Sequence, residues 1–145
     1  MVLEGPSRNS VDIGLLILRS SGLFLLVTFG WQKLFGLAQI IHAGASLSSA
    51  GLGPLIREAG FPAPALAAVY VTLSESILAL LIALGLFTRL SAACAALSMA
   101  GAFYFSLRIG EEPLRAALYL LIFGALVLTG PGRFSIEYLR RPAAI

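Results

Sequence analysis

Four apolar runs, at about residues 12–35, 64–87, 89–109 and 114–129, take up most of a chain of 145 residues. A helix rising about 1.5 Å per residue needs ~20 residues to cross the ~30 Å hydrocarbon core of a bilayer. Three runs fit that length well and the last fits tightly. Hydrophobic residues make up 59% of the chain and charged residues 12%, about half the ~25% typical of soluble domains. A soluble fold of this size has no place to hide so much apolar surface. In lipid, backbone polar groups must pair within each segment, which selects helices. The expected fold is therefore all-α: a single-domain integral membrane four-helix bundle over residues 1–145.

The residues between the runs fix their order in space. Residues 1–10 hold one acid and one base, and the run that follows contains Arg19. It is longer than the apolar core of about 7–15 residues in a signal peptide, so it reads as a retained first span. Trp31-Gln32-Lys33 ends it with the aromatic-plus-base pattern of a membrane interface. Residues 36–63 are rich in Gly, Ser and Ala. Within them, 48–59 reads as a short interfacial amphipathic helix, with Leu52, Leu55 and Ile56 on one side and Arg57 and Glu58 on the other. Gly60-Phe61-Pro62-Ala63-Pro64 breaks it, and Pro64 suits the first turn of the second span. Gly85-Leu86-Phe87-Thr88-Arg89 is a tight hairpin that makes the second and third spans antiparallel neighbours. Ala92, Ala96 and Ala100 repeat every four residues, as close helix packing in membranes requires.

The charge is +3 with a pI near 9.5, but the bases are scattered near the ends of the runs. They suit lipid headgroups, and nucleic acid is not an expected partner. Arg8, Arg89, Arg133, Arg140 and Arg141 fall on one side of the predicted bundle, and Lys33, Arg57, Arg108 and Arg115 on the other. That bias orients both termini toward the cytoplasm of a bacterial-type inner membrane.

Several chemistries lack a foothold. With Cys94 the single cysteine and His42 the single histidine, the chain by itself forms no disulfide, no multi-ligand metal centre and no bis-histidine haem. Nucleotide-binding, serine-hydrolase and zinc-protease motifs are missing. No intrinsic cofactor or metal is expected, and no catalytic residue is assigned. His42 reads as a surface residue and Cys94 as a small packing residue.

Two ionisable residues lie deep in the apolar runs. Measured from the cytoplasmic end, Arg19 is about 10 Å deep and Glu75 about 18 Å deep on the antiparallel neighbour. A guanidinium bridges much of that gap, so a buried Arg19–Glu75 pair is expected. Such a pair serves either a polar headgroup, a quinone or a proton, or helix register alone. Toward the opposite end collect Trp31, Gln32, Lys33, Tyr70, Tyr104, Arg108, Arg115 and Tyr119. They read either as contacts for a quinone or headgroup or as the ordinary interfacial aromatic belt.

The order of these features resembles a known family. Leu16-Ile17-Leu18-Arg19 followed by Phe29-Gly30-Trp31-Gln32-Lys33-Leu34-Phe35-Gly36 is similar to the opening of DoxX proteins. Gly60-Phe61-Pro62-Ala63-Pro64, Glu75 and Leu84-Gly85-Leu86-Phe87-Thr88-Arg89 resemble their centre, and Gly130-Pro131-Gly132-Arg133-Phe134-Ser135 their end. Phe29 stands where the family frequently has histidine, and Glu137 where it commonly has aspartate. The resemblance implies a four-helix membrane protein with Arg19, Lys33 and Glu75 as family-like polar positions. It also implies a quinone-linked redox system, with the chain as a membrane component needing other membrane or soluble redox subunits. The alternative it implies is a non-catalytic small subunit or assembly factor of a larger electron-transfer complex.

Overall fold

A computed structural model describes residues 8–140; Arg141, counted above among the bases, lies outside them. The first rod comprises α1 (Arg8–Leu25), a π-helical turn (Leu26–Gly30) and α2 (Trp31–His42). The short α3 (Gly53–Glu58) follows. The second rod comprises α4 (Pro64–Leu73), a second π turn (Ser74–Leu78) and α5 (Ala79–Leu84). Then come α6 (Thr88–Ile109), α7 (Leu114–Thr129) and the short α8 (Ile136–Leu139). No strand occurs among the described residues. Among the described residues three helices are long and apolar enough to cross a membrane: Asn9–His42, Pro64–Leu84 and Thr88–Ile109, at 34, 21 and 22 residues. The fourth, α7, has 16 residues, about 24 Å of rise.

Two local expectations shift. The first helix continues past residue 35 to His42, because a helical glycine such as Gly36 costs only about 1 kcal/mol against alanine. The break comes later, at Gly44, where φ is +66°. The helix expected over 48–59 shortens to Gly53–Glu58, since Gly51 at φ +60° keeps the preceding residues in turns. Pro54 then sits in the first turn of α3, where its missing N–H is harmless. Ile56 is buried, whereas Leu55 is 49% exposed.

The interior is narrow. Ala79, Ile82, Ala92, Ala95, Phe123 and Leu126 are wholly buried, with Leu15, Leu25 and Met99 around them. Large apolar side chains such as Phe24, Val27, Leu66, Leu97, Leu121 and Leu128 point outward. Burying alanines inside and exposing leucines and phenylalanines outside inverts the soluble pattern, and lipid explains it. Of the alanine repeat, Ala92 is buried and Ala96 and Ala100 are half-buried.

Glycine is required at two close approaches. At the hairpin, the Gly85 N–H donates to the Ile82 carbonyl (3.1 Å) and the Leu86 N–H to the Leu81 carbonyl (2.9 Å). This pair of bonds is a Schellman motif with Gly85 in the left-handed conformation. At Gly30 the first rod meets the second so closely that an added Cβ would lie 1.9 Å from the Glu75 carbonyl oxygen. Gly30→Ala is therefore expected to pry the two rods apart. Overpacking costs about 1–3 kcal/mol, read as a lower melting midpoint in detergent. Gly36→Ala is the control, because a Cβ there meets nothing within 4 Å. Equal midpoints for the two variants would contradict the close approach.

Candidate functional site

The two π turns face each other across the contact at Gly30. A π turn inserts one extra residue and re-aims the side chains around it. In the second rod the result is a run of buried polar residues, Ser74, Glu75 and Ser76, in the middle of an apolar helix. Their hydroxyls are satisfied locally. The single hydroxyl hydrogen of Ser74 is shared between the Val71 carbonyl (2.9 Å) and Ser98 Oγ (2.7 Å), and Ser76 Oγ donates to the Thr72 carbonyl (2.6 Å). Glu75 is left facing the first rod.

There it meets Lys33, one turn beyond the first π turn. Lys33 Nζ lies 2.6 Å from Glu75 Oε2, and the side chains are 27% and 7% exposed. A charge-assisted hydrogen bond of this length, away from bulk water, is among the strong kinds. Among the described residues no group hydrogen-bonds the other carboxylate oxygen, Oε1.

Beside the pair opens a cavity of about 400 Å³, within the ~300–1,000 Å³ usual for small-molecule sites. Its walls are largely apolar, with α3 and the residues flanking it supplying Leu52, Leu55, Ile56 and Phe61. The polar groups reaching it include Lys33, Glu75, Tyr70, Ser98 and Tyr119, with Glu111 and Glu112 from the α6–α7 turn and Arg115 from the first turn of α7. The Tyr70 hydroxyl is spent on the Cys94 carbonyl. Tyr119 differs: it is 8% exposed and, among the described residues, its hydroxyl has no hydrogen-bond partner. Arg115 stacks its guanidinium 4.5 Å from the centre of the Phe29 ring, which also lines the cavity.

The expected Arg19–Glu75 pair does not form. Arg19 is 3% exposed and is held by four carbonyl oxygens. Its Nε donates to Ile82 (3.1 Å), Nη2 to Ala83 (2.7 Å), and Nη1 to Pro131 (3.2 Å) and Phe134 (2.7 Å). Ile82 lies two helical turns beyond Glu75, about 10 Å along the axis, and Lys33 is the nearer cation. Ile82 and Ala83 sit at the C-terminal end of α5, where the free carbonyls and the helix dipole favour a cation. Arg19 thus ties α1, α5 and the loop after α7 together at the end of the bundle opposite the cavity. Asp12 and Glu137 finish that end. Asp12 Oδ1 accepts from the Arg133 N–H (3.0 Å), and Glu137 Oε2 accepts from the Thr88 N–H (3.3 Å).

Of the aromatic and basic residues singled out in the sequence, Lys33, Tyr70, Arg115 and Tyr119 come together at the cavity. Trp31 is 66% exposed and faces away. Tyr104 packs edge-on against Phe61, 5.9 Å between ring centres, with the Arg108 guanidinium 5.8 Å from its ring. Neither Tyr104 nor Arg108 lines the cavity, and both suit the interfacial belt. Sequence reasoning overlooked Phe29, Ser98 and Asp12. For Ser98 the available signal was a hydroxyl in the third run that needed a partner in another helix.

An apolar helical bundle with an ion pair beside an internal cavity defines a membrane protein with one built polar site. The family model described as DoxX matches residues 14–107, and the chain belongs to that family. The match covers Arg19, Lys33 and Glu75 together with both π turns. No curated protein and no solved structure matches the chain.

The clamp at Arg19 makes a specific demand on geometry. Arg19→Lys keeps the charge but loses the planar fork, and a single ammonium does not reach carbonyls on two elements at once. Two or three lost hydrogen bonds at about 1 kcal/mol each are expected to lower the melting midpoint of the detergent-solubilised protein. A midpoint equal to that of the unaltered protein would remove the clamp from the account.

Proposed function

We propose that this protein is a membrane component of a quinone-linked redox system, with the cavity beside Lys33 and Glu75 seating the quinone ring. The observation that carries the reading is the ion pair itself, held 2.6 Å apart at the wall of an apolar cavity of about 400 Å³. The residues fit a flat ring with two opposed carbonyl oxygens. Lys33 and Tyr119 offer donors, and Phe29 offers an aromatic face. A bound quinone would supply the acceptor for two electrons and two protons. The chain's own part is to exclude water and orient the ring, with the Glu75 carboxylate holding the Lys33 ammonium at the cavity wall.

Electrons must come from elsewhere, because one cysteine and one histidine make no multi-ligand redox centre. A partner subunit, membrane-bound or soluble, supplies them in this reading. In the membrane, α7 completes a four-helix crossing despite its length, and α3 lies at the interface. Both termini face the cytoplasm of a bacterial-type inner membrane, so the cavity opens near the far side. The second reading, a non-catalytic subunit or assembly factor of a larger electron-transfer complex, rests on the same lack of an electron carrier.

Native extraction with bound-lipid analysis separates the two. Glu75→Gln removes the charge that holds Lys33, and a hydrogen bond to a charged group contributes about 1.5–3 kcal/mol, or about ten- to a hundredfold in affinity. Quinone recovered per protein is expected to fall accordingly while the fold persists. If instead the chain is recovered in fixed ratio with a large complex, and Glu75→Gln leaves that complex's electron transfer intact, the second reading stands.

A further inference from the structure

A second cavity, of about 260 Å³, lies between α2, the turn preceding α3, and α4. It does not belong to the polar site, but it adjoins it: Lys33 and Leu52 line both cavities. Its character is different. Gly36, Leu37, Ile40, Leu47 and Ala50 supply apolar or small surfaces. Of its other polar residues, Gln32 is exposed at its edge, and Thr72 has already spent its hydroxyl on the Ala68 carbonyl at 2.8 Å. The buried groups free to meet a polar ligand, Glu75 Oε1 and the Tyr119 hydroxyl, are at the first cavity. Buried polarity is thus sorted, with the free hydrogen-bonding groups on one side of Lys33 and a mainly apolar slot on the other.

We infer that the ligand is two-part, a polar ring seated in the first cavity and an apolar chain laid in the second, with the chain passing Lys33 and Leu52. This rests on the reading of the first cavity as the ring site, and it adds the requirement for a chain. Leu52 lies between Gly51, at φ +60°, and Gly53, so its backbone turns sharply and its side chain forms the edge over which the chain passes. Lys33 keeps its stem along the junction and its ammonium on Glu75. A chain in the apolar slot removes hydrocarbon from water or headgroups without taking any hydrogen bond from the ring.

Gly36 allows a selective test. A Cβ there meets nothing within 4 Å, so a large side chain grows into the second cavity without displacing backbone. The probes are a methyl- and methoxy-substituted benzoquinone without a chain and the same ring carrying a decyl chain. Affinities are measured on the intact protein in detergent, with free concentrations corrected for partition into micelles. The unaltered protein is expected to prefer the decyl compound by about tenfold or more, the scale of a few buried methylenes. Gly36→Trp should erase most of that preference and leave the chain-free ring within about twofold, a change too small to reflect a lost contact. Ala50→Trp fills the same cavity from the turn before α3 and serves if Gly36→Trp melts early.

An undiminished decyl preference in a folded filled variant overturns the chain site and leaves the ring site standing. Failure of both compounds to bind the unaltered protein overturns the ring site and the chain site together. Chain-free binding that is lost on Glu75→Gln, combined with a chain preference lost on Gly36→Trp, supports both.

Discussion

Hydrocarbon offers no water to solvate a charge, so every ionised side chain inside this bundle must find its partner within the protein. The two deeply placed cations solve that problem differently, and the architecture follows from the difference. Lys33 meets a carboxylate, forming a pair at the wall of a cavity. Arg19 meets no carboxylate among its hydrogen-bond partners; it spreads its charge over carbonyls from α5 and the loop after α7. Lysine, a flexible point charge, stands at the site. Arginine, with a rigid planar fork, stands at the joint.

The site depends on backbone geometry as much as on charge. Gly30 lets the two rods touch at the Glu75 carbonyl. The second π turn, across that contact from the first, turns Ser74, Glu75 and Ser76 inward. An uninterrupted α-helix would place Ser74, Glu75 and Ser76 about 100° apart and send one of them toward lipid. Here all three are buried. The departure from regular helix is thus what lets an apolar span carry a polar site without exposing polar side chains to lipid.

Much of this was legible in the sequence, and the misses have physical causes. Apolar length and scarce charge gave the helices, the Gly85 hairpin gave the antiparallel neighbours, and depth along the spans marked Arg19 and Glu75 as buried. What the sequence does not reveal is which cation reaches Glu75. Axial depth alone allowed Arg19. The π turns and the contact at Gly30 bring Lys33 to it instead, and neither has a signature in local composition beyond the polar run Ser74-Glu75-Ser76. The Arg19 partners were hidden for another reason. They are main-chain carbonyls, two of them on a loop more than a hundred residues away, and any residue type supplies a carbonyl. The cavity is a property of how α3 and the α6–α7 turn close over the pair, which no single run of residues encodes.

The pairing of Lys33 with Glu75 is the claim from which the site, its ligand and the separate role of Arg19 all follow. Double-mutant cycles in thermal stability test it directly, using Lys33→Met with Glu75→Gln and, in parallel, Arg19→Gln with Glu75→Gln. Residues in contact show coupling of about 0.5–3 kcal/mol, whereas separate sites add within about 0.5 kcal/mol. The account predicts clear coupling for Lys33 with Glu75 and near-additivity for Arg19 with Glu75. Coupling of Arg19 to Glu75, with Lys33 additive, would contradict it.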